Sequence, residues 1–262
     1  MSVAEVALLL VAGAAAGLCG SVAGLASLFS YPALLAVGLP AVAANVTNTV
    51  ALTVTGIGSA AGSREELAGQ GPRLRRYAPV IVAGGAAGAG LLLVTPTGLF
   101  ERIVPFLVGG AGVALLAQPR IRVATTAGPV GLSAGLFAAA VYGGYFGAAA
   151  GVLMLALIMV GLPVSLLQGN ALKNVLLGLA NTVAALGFAF VGPVVWAAVL
   201  PLAAGVDHDV GRLHVTVQYP AAVRRVEAVG DPGPDAGGGD VVEHTPVPVS
   251  YTHLTLPTNS RV

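Results

Sequence analysis

The chain has 262 residues, 56% of them hydrophobic and 9% charged, with a formal net charge of +1, and its mean hydropathy is +0.89. Ordinary soluble domains carry about 25% charged and about 45–50% apolar residues, so this composition excludes a water-soluble globular domain. The single cysteine, Cys19, also excludes an intrachain disulfide or a multi-cysteine metal site.

In chain order, Val6 to Ser63 contains no charged residue, which is membrane-length chain, because one spanning helix needs ~20 largely apolar residues. The run continues well beyond the ~7–15 residues of a secretory signal core and has no basic leader. It is expected to be a retained first span, and a break or re-entry at Ser30-Tyr31-Pro32 would alter the span count.

SREELAGQGPRLRRY, Ser63 to Tyr77, gathers Arg64, Arg73, Arg75 and Arg76, and Arg120 and Arg122 form a second basic segment. Basic residues in short loops mark the cytoplasmic side. The apolar stretches Tyr77 to Leu99 and Ile103 to Ala117 are therefore expected to form a helical hairpin, with Glu101 and Arg102 at its outer turn.

From Val123 to Val206 the only charge is Lys173. The last apolar segment, Pro193 to Gly205, has thirteen residues, too few to cross a hydrocarbon core of ~30 Å as a helix. A span cut off midway is expected there.

Beyond Val206 the composition changes. All five Asp and all four His lie at or after Asp207, with Pro- and Gly-rich runs such as GDPGPDAGGGD. Residues 1–205 hold eight basic and four acidic residues, whereas 206–262 hold four Arg and seven acids. The final VSYTHLTLPTNSRV reads as adapter-derived sequence and the stretch before it as a gene in the wrong frame, so 206–262 is expected to be a non-native, disordered tail, set apart like a fusion scar; the alternative is a native disordered or regulatory tail, which the Pro, Gly and acid content also permits.

An internal repeat organises the rest. Gly20, Gly24 and Gly38-Leu39-Pro40 recur 123 residues later as Gly143, Gly147 and Gly161-Leu162-Pro163, and Asn45 and Thr47 align with Gln168 and Asn170. The expected units are residues 1–122, a first transmembrane repeat, and 123–205, a second and incomplete one. Duplicated halves with Gly/Pro-interrupted apolar segments at matching positions point to a secondary transporter whose substrate site lies between the repeats.

On GSVAGLASLFSYPALLAVGLPAVAANVTNTVA (Gly20 to Ala51) and GGYFGAAAGVLMLALIMVGLPVSLLQGNALKN (Gly143 to Asn174), the chain resembles the sulfite exporter TauE/SafE family of bacterial membrane permeases. The resemblance runs from about Val6 to Pro201. It implies an all-α polytopic helical bundle in two related halves, with about six to seven spans present of an expected eight. It further implies a multi-pass protein of the bacterial inner membrane that exports a small anion such as sulfite, an organosulfonate or an organic acid. The chain departs from the family after Gly205, where the rest of span seven and span eight are expected.

The polar residues of the body fall in stripes. Asn170, Lys173, Asn174 and Asn181 share one helix face, and so do Asn45, Asn48, Thr49 and Thr53. A lysine at mid-membrane costs ~2.5–3.5 kcal/mol on insertion scales. On the functional reading Lys173 supplies charge to an anion, and Asn45, Asn48, Thr49, Gln168, Asn170 and Asn174 surround it. Gly20, Gly24, Gly143 and Gly147 then mark helix breaks whose amides and N-termini attract an anion. On the competing reading Lys173 snorkels to the headgroups, and the amides and glycines only hold helices together.

The membrane body has no Asp, no His and no embedded Glu, so the usual proton-relay side chains are missing. Coupling is left to Lys173, to Tyr31, Tyr142 or Tyr145, to backbone-coordinated sodium, or to the membrane potential alone. The same shortage excludes a Ser-His-Asp triad and a histidine metal site. A Ser-Lys dyad would need Ser165, eight residues before Lys173, on one unbroken helix. No cofactor is expected. The scattered arginines form no basic face for nucleic acid. The alternative to transport is a membrane assembly factor or scaffold, which would tolerate Lys173→Gln.

Overall fold

The computed structural model describes residues 1–121 and 128–216, and every element among them is helical. The helices are α1 (Val3–Ala23), α2 (Ser27–Ala36), α3 (Ala41–Gly62), α4 (Arg64–Leu67), α5 (Gly71–Val94), α6 (Thr97–Ile121), α7 (Pro129–Tyr145), α8 (Ala150–Gly161), α9 (Leu166–Val191) and α10 (Trp196–Thr216). Arg122 and residues 217–262 of the expected tail lie outside the described residues.

Local signals account for the main boundaries. Ser2 and Glu5 close a capping box that starts α1, and Ser165 and Gln168 close one that starts α9. Pro40 precedes α3, and prolines occupy the first turns of α5 and α7, where a missing N–H costs nothing. Thr95 is extended before Pro96, since proline disfavours helical geometry in its predecessor. The α5–α6 hairpin thus turns at Thr95-Pro96, and Glu101 and Arg102 fall inside α6 rather than at the turn.

Two further boundaries differ from the sequence expectation. The first break after α1 is at Gly24, while Ser30, Tyr31 and Pro32 lie within α2. Left-handed backbone is open to glycine, and Gly24 has a φ of 75°. Proline falls in a helix of only ten residues, which tolerates it. At the other end α10 runs on to Thr216, so helical backbone crosses the change of composition at Val206.

Among the described residues four helices, α1, α3, α5 and α9, are long and apolar enough to cross a membrane. The ten residues of α2 and twelve of α8 extend ~15–18 Å at ~1.5 Å per residue, about half of a ~30 Å core. The outer surface is apolar: Phe106 and Phe190 are 80% and 86% exposed. Asn45, Thr47, Asn48 and Lys173 are buried instead. That inverted distribution is the one a bilayer selects, because polar groups in hydrocarbon must find partners inside the protein.

The order α1-α2-α3-α5 recurs as α7-α8-α9-α10, and the two sets interlock. The helix α1 packs chiefly on α10, α7 on α5, and α3 on α9. Small residues set the closest crossings. A Cβ on Gly56 would stand 2.6 Å from the Cα of Gly178, and one on Gly24 would stand 2.7 Å from the Cα of Gly151. The two helix breaks are thereby brought together at the centre of the bundle.

Candidate substrate site between two helix breaks

The first break is held from α9. Asn170 Nδ2 donates to the Ser21 carbonyl at 3.0 Å, Asn174 Nδ2 at 3.2 Å and Lys173 Nζ at 3.3 Å, and Lys173 Nζ also donates to the Gly20 carbonyl at 3.3 Å. These carbonyls lie in the last turn of α1, at the negative end of the helix dipole; the Gly20 carbonyl also accepts the Gly24 N–H at 2.9 Å. Lys173 is fully buried, so it does not snorkel. Its charge is set against the C-terminus of α1.

The second break is held from α3. The helix α7 ends at Tyr145, and Gly147 (φ 79°) and Ala149 (φ 58°) take left-handed backbone before α8. Asn45 Nδ2 donates to the Tyr145 carbonyl at 2.8 Å. Asn48 Nδ2 donates to Ser27 Oγ at 3.1 Å, which ties α3 to the first turn of α2. Each break is therefore bound by the long helix of the opposite half.

Between them lies a cavity of ≈ 40 Å³, enough for about three water molecules at ~10–15 Å³ each. Of the expected site residues, Gly20, Gly24, Gly143, Gly147, Asn48, Thr49 and Asn174 line it. The other four do not. Lys173 and Asn170 sit behind the wall on Ser21, Asn45 behind it on Tyr145, and Gln168 is engaged in the cap of α9, accepting from the Ser165 N–H at 3.3 Å.

The wall also contains Ser27, Ser59 and Asn181, which were not among the expected site residues. A readable signal existed for two of them: Ser59 follows Asn48, and Asn181 follows Asn170, by eleven residues, about three helical turns on one face. Ser27 reaches the site only through the fold, since its neighbour across the cavity, Asn48, is 21 residues away in sequence.

The cavity is neutral, its lining made of glycine backbone, small apolar side chains, hydroxyls and amides. Two lining groups are poised for something not of the protein: Asn48 Oδ1 and Ser59 Oγ are buried without a hydrogen-bond partner. Among the described residues no cluster of His, Cys, Asp and Glu suits a metal ion. The arrangement can select and hold a small polar solute, and it offers no nucleophile with an adjacent base.

No curated protein and no solved structure matches the chain. The model of the family described as sulfite exporter TauE/SafE matches residues 9–206, a span that contains both helix breaks, both stripes of amides and the whole cavity. On that match the chain belongs to the sulfite exporter TauE/SafE family of membrane transporters.

Proposed function

We propose that the protein is a permease of the bacterial inner membrane that exports a small anion, with sulfite the first substrate to test and small organosulfonates and organic acids next. The observation that carries the reading is the buried amino group of Lys173 directly behind the neutral cavity wall, hydrogen-bonded to the carbonyl of Gly20, which itself lines the cavity.

Magnitudes support a role beyond structure. A lysine at mid-membrane costs ~2.5–3.5 kcal/mol, and a helix C-terminus returns about 0.3–1 kcal/mol, up to ~2 in buried geometry. The residual cost is not offset by any acidic partner in the cavity lining. A bound anion would offset it.

Ser27, Asn174 and Asn181 supply neutral donors that suit oxyanion oxygens. A cavity of ≈ 40 Å³ matches an ion of about three or four heavy atoms at the volume a water needs. Alternating access then consists of α3 and α9 shifting against the helix ends that they bind.

The test is efflux of labelled sulfite from proteoliposomes containing the full chain, compared with empty vesicles. Saturable efflux supports the permease. No efflux of sulfite, sulfonates or small organic acids by correctly inserted protein would favour the assembly-factor alternative.

A further inference from the structure

Two helix ends present carbonyls to the centre of this bundle, and a side-chain cation is built into only one of them. At the end of α1 the ammonium of Lys173 lies 3.3 Å from the carbonyls of Gly20 and Ser21. The 123-residue repeat places Gly143 and Gly144 in the positions of Gly20 and Ser21, and Val50 in the position of Lys173. The end of α7 thus has the same carbonyls and the same negative dipole end, without the lysine.

What surrounds that second end is a set of oxygens. A Cβ built on Gly147 would stand 3.1 Å from the Gly143 carbonyl oxygen and 3.9 Å from Ser27 Oγ, so both oxygens border one small space at the break. Asn48 reaches Ser27 Oγ with its Nδ2 at 3.1 Å, while its Oδ1 has no partner and the residue is 1% exposed. Just behind, Asn45 commits its Nδ2 to a carbonyl, which fixes the amide orientation, and its Oδ1 is likewise buried and unpartnered.

Unpartnered buried acceptors beside the negative end of a helix call for a cation. The lining contains no carboxylate, which disfavours Ca²⁺, whose sites draw on Asp and Glu. Neutral hydroxyl, amide and main-chain oxygens at the C-terminal end of a broken helix suit Na⁺. We infer that the α7–α8 break binds a sodium ion through the Gly143 carbonyl, Ser27 Oγ and Asn48 Oδ1, as the diffusible counterpart of the Lys173 ammonium.

This site goes beyond the proposed anion permease and does not depend on it. If both hold, the cavity carries an anion on the Lys173 side and a sodium ion on the Gly147 side, and sodium reduces the net charge that crosses with each anion.

Binding of ²²Na⁺ to the purified full chain, in choline buffer with no transportable anion, tests the inference. Wild type is expected to bind one equivalent saturably and to prefer Na⁺ over K⁺. Asn48→Ala is expected to weaken binding at least about tenfold, and Val50→Lys to abolish it by tethering an ammonium at the site. Melting temperatures in choline establish that each variant is folded. Absence of saturable binding to wild type overturns the inference whatever the variants do, and so does wild-type affinity in both folded variants. Sulfite efflux without ²²Na⁺ binding would sink the sodium site alone, whereas binding without efflux of any tested anion would sink the permease and leave the site standing.

Discussion

Lys173 Nζ lies 3.3 Å from the carbonyl oxygen of Ser21, a contact between residues 152 positions apart that places a fully buried lysine on the end of the first helix. Ser21 is also the acceptor for Asn170 and Asn174. One carbonyl therefore gathers three donors from α9, and a change at Lys173 alters charge and capping together.

Lys173→Gln separates those two effects. Glutamine keeps an N–H for the Ser21 carbonyl and removes the charge, so the melting temperature of the purified protein is expected to stay within a few degrees of wild type, since an amide replaces a hydrogen bond of about 0.5–1.5 kcal/mol with another. Anion efflux at matched membrane abundance is expected to fall by tenfold or more, the equivalent of losing ~1.4 kcal/mol of anion binding. Unchanged efflux would remove the charge from the mechanism.

Lys173→Met removes the cap and the charge together, so its comparison with Lys173→Gln isolates the cap. The methionine removes one donor from the Gly20 carbonyl and one from the Ser21 carbonyl, which keep the Gly24 N–H and the Asn170 and Asn174 amides, so the loss is that of ordinary hydrogen bonds, about 0.5–1.5 kcal/mol each. The loss of a buried charge partly opposes this. A lower melting temperature than that of Lys173→Gln is expected, and the reverse order would mean that burial of the charge, not loss of the cap, dominates.

Asn45→Ala cuts the bond to the Tyr145 carbonyl that closes the second break. The Tyr145 carbonyl sits in the interior, so a loss of about 1–3 kcal/mol is expected. Faster hydrogen exchange confined to the end of α7 and the start of α8 would show that the bond holds this break. Uniform acceleration across the bundle would contradict that local role.

Three left-handed glycines are expected to rank by the space around them. Each Gly→Ala change incurs about 1–2 kcal/mol for left-handed backbone. At Gly38 (φ 86°) nothing lies within 4 Å of the new Cβ, at Gly147 the Gly143 carbonyl lies at 3.1 Å, and at Gly24 the Gly151 backbone lies at 2.7 Å. Stability measured by melting should therefore fall least for Gly38→Ala, more for Gly147→Ala and most for Gly24→Ala. Equal effects at all three would show that backbone strain alone matters.

The outline of the protein was legible in the sequence because the bilayer imposes one-dimensional rules. Charge-free runs such as Val6 to Ser63 had to become helices buried in lipid or in each other. The 123-residue recurrence of Gly20, Gly24, Gly143 and Gly147 marked both sides of the cavity, and periodicity placed Asn48, Thr49 and Asn174 on faces that do line it. The charge-free runs and polar stripes survive in a sequence because each depends on residues within a few turns of one another, and the repeat because its two copies are read at one fixed offset.

Only the tertiary structure decided what each polar residue faces. Periodicity put Asn170, Lys173 and Asn174 on one stripe, and all three reach the Ser21 carbonyl, yet of the three Asn174 alone also lines the cavity. Gln168 shares the repeat pattern with Asn45, but serves its own helix cap, while Asn45 crosses to Tyr145. The difference comes from the interlocking of the halves: α3 and α9 each meet the broken end of a helix from the other repeat. Which carbonyl waits there for a partner depends on packing between segments a hundred or more residues apart, and no local pattern records it.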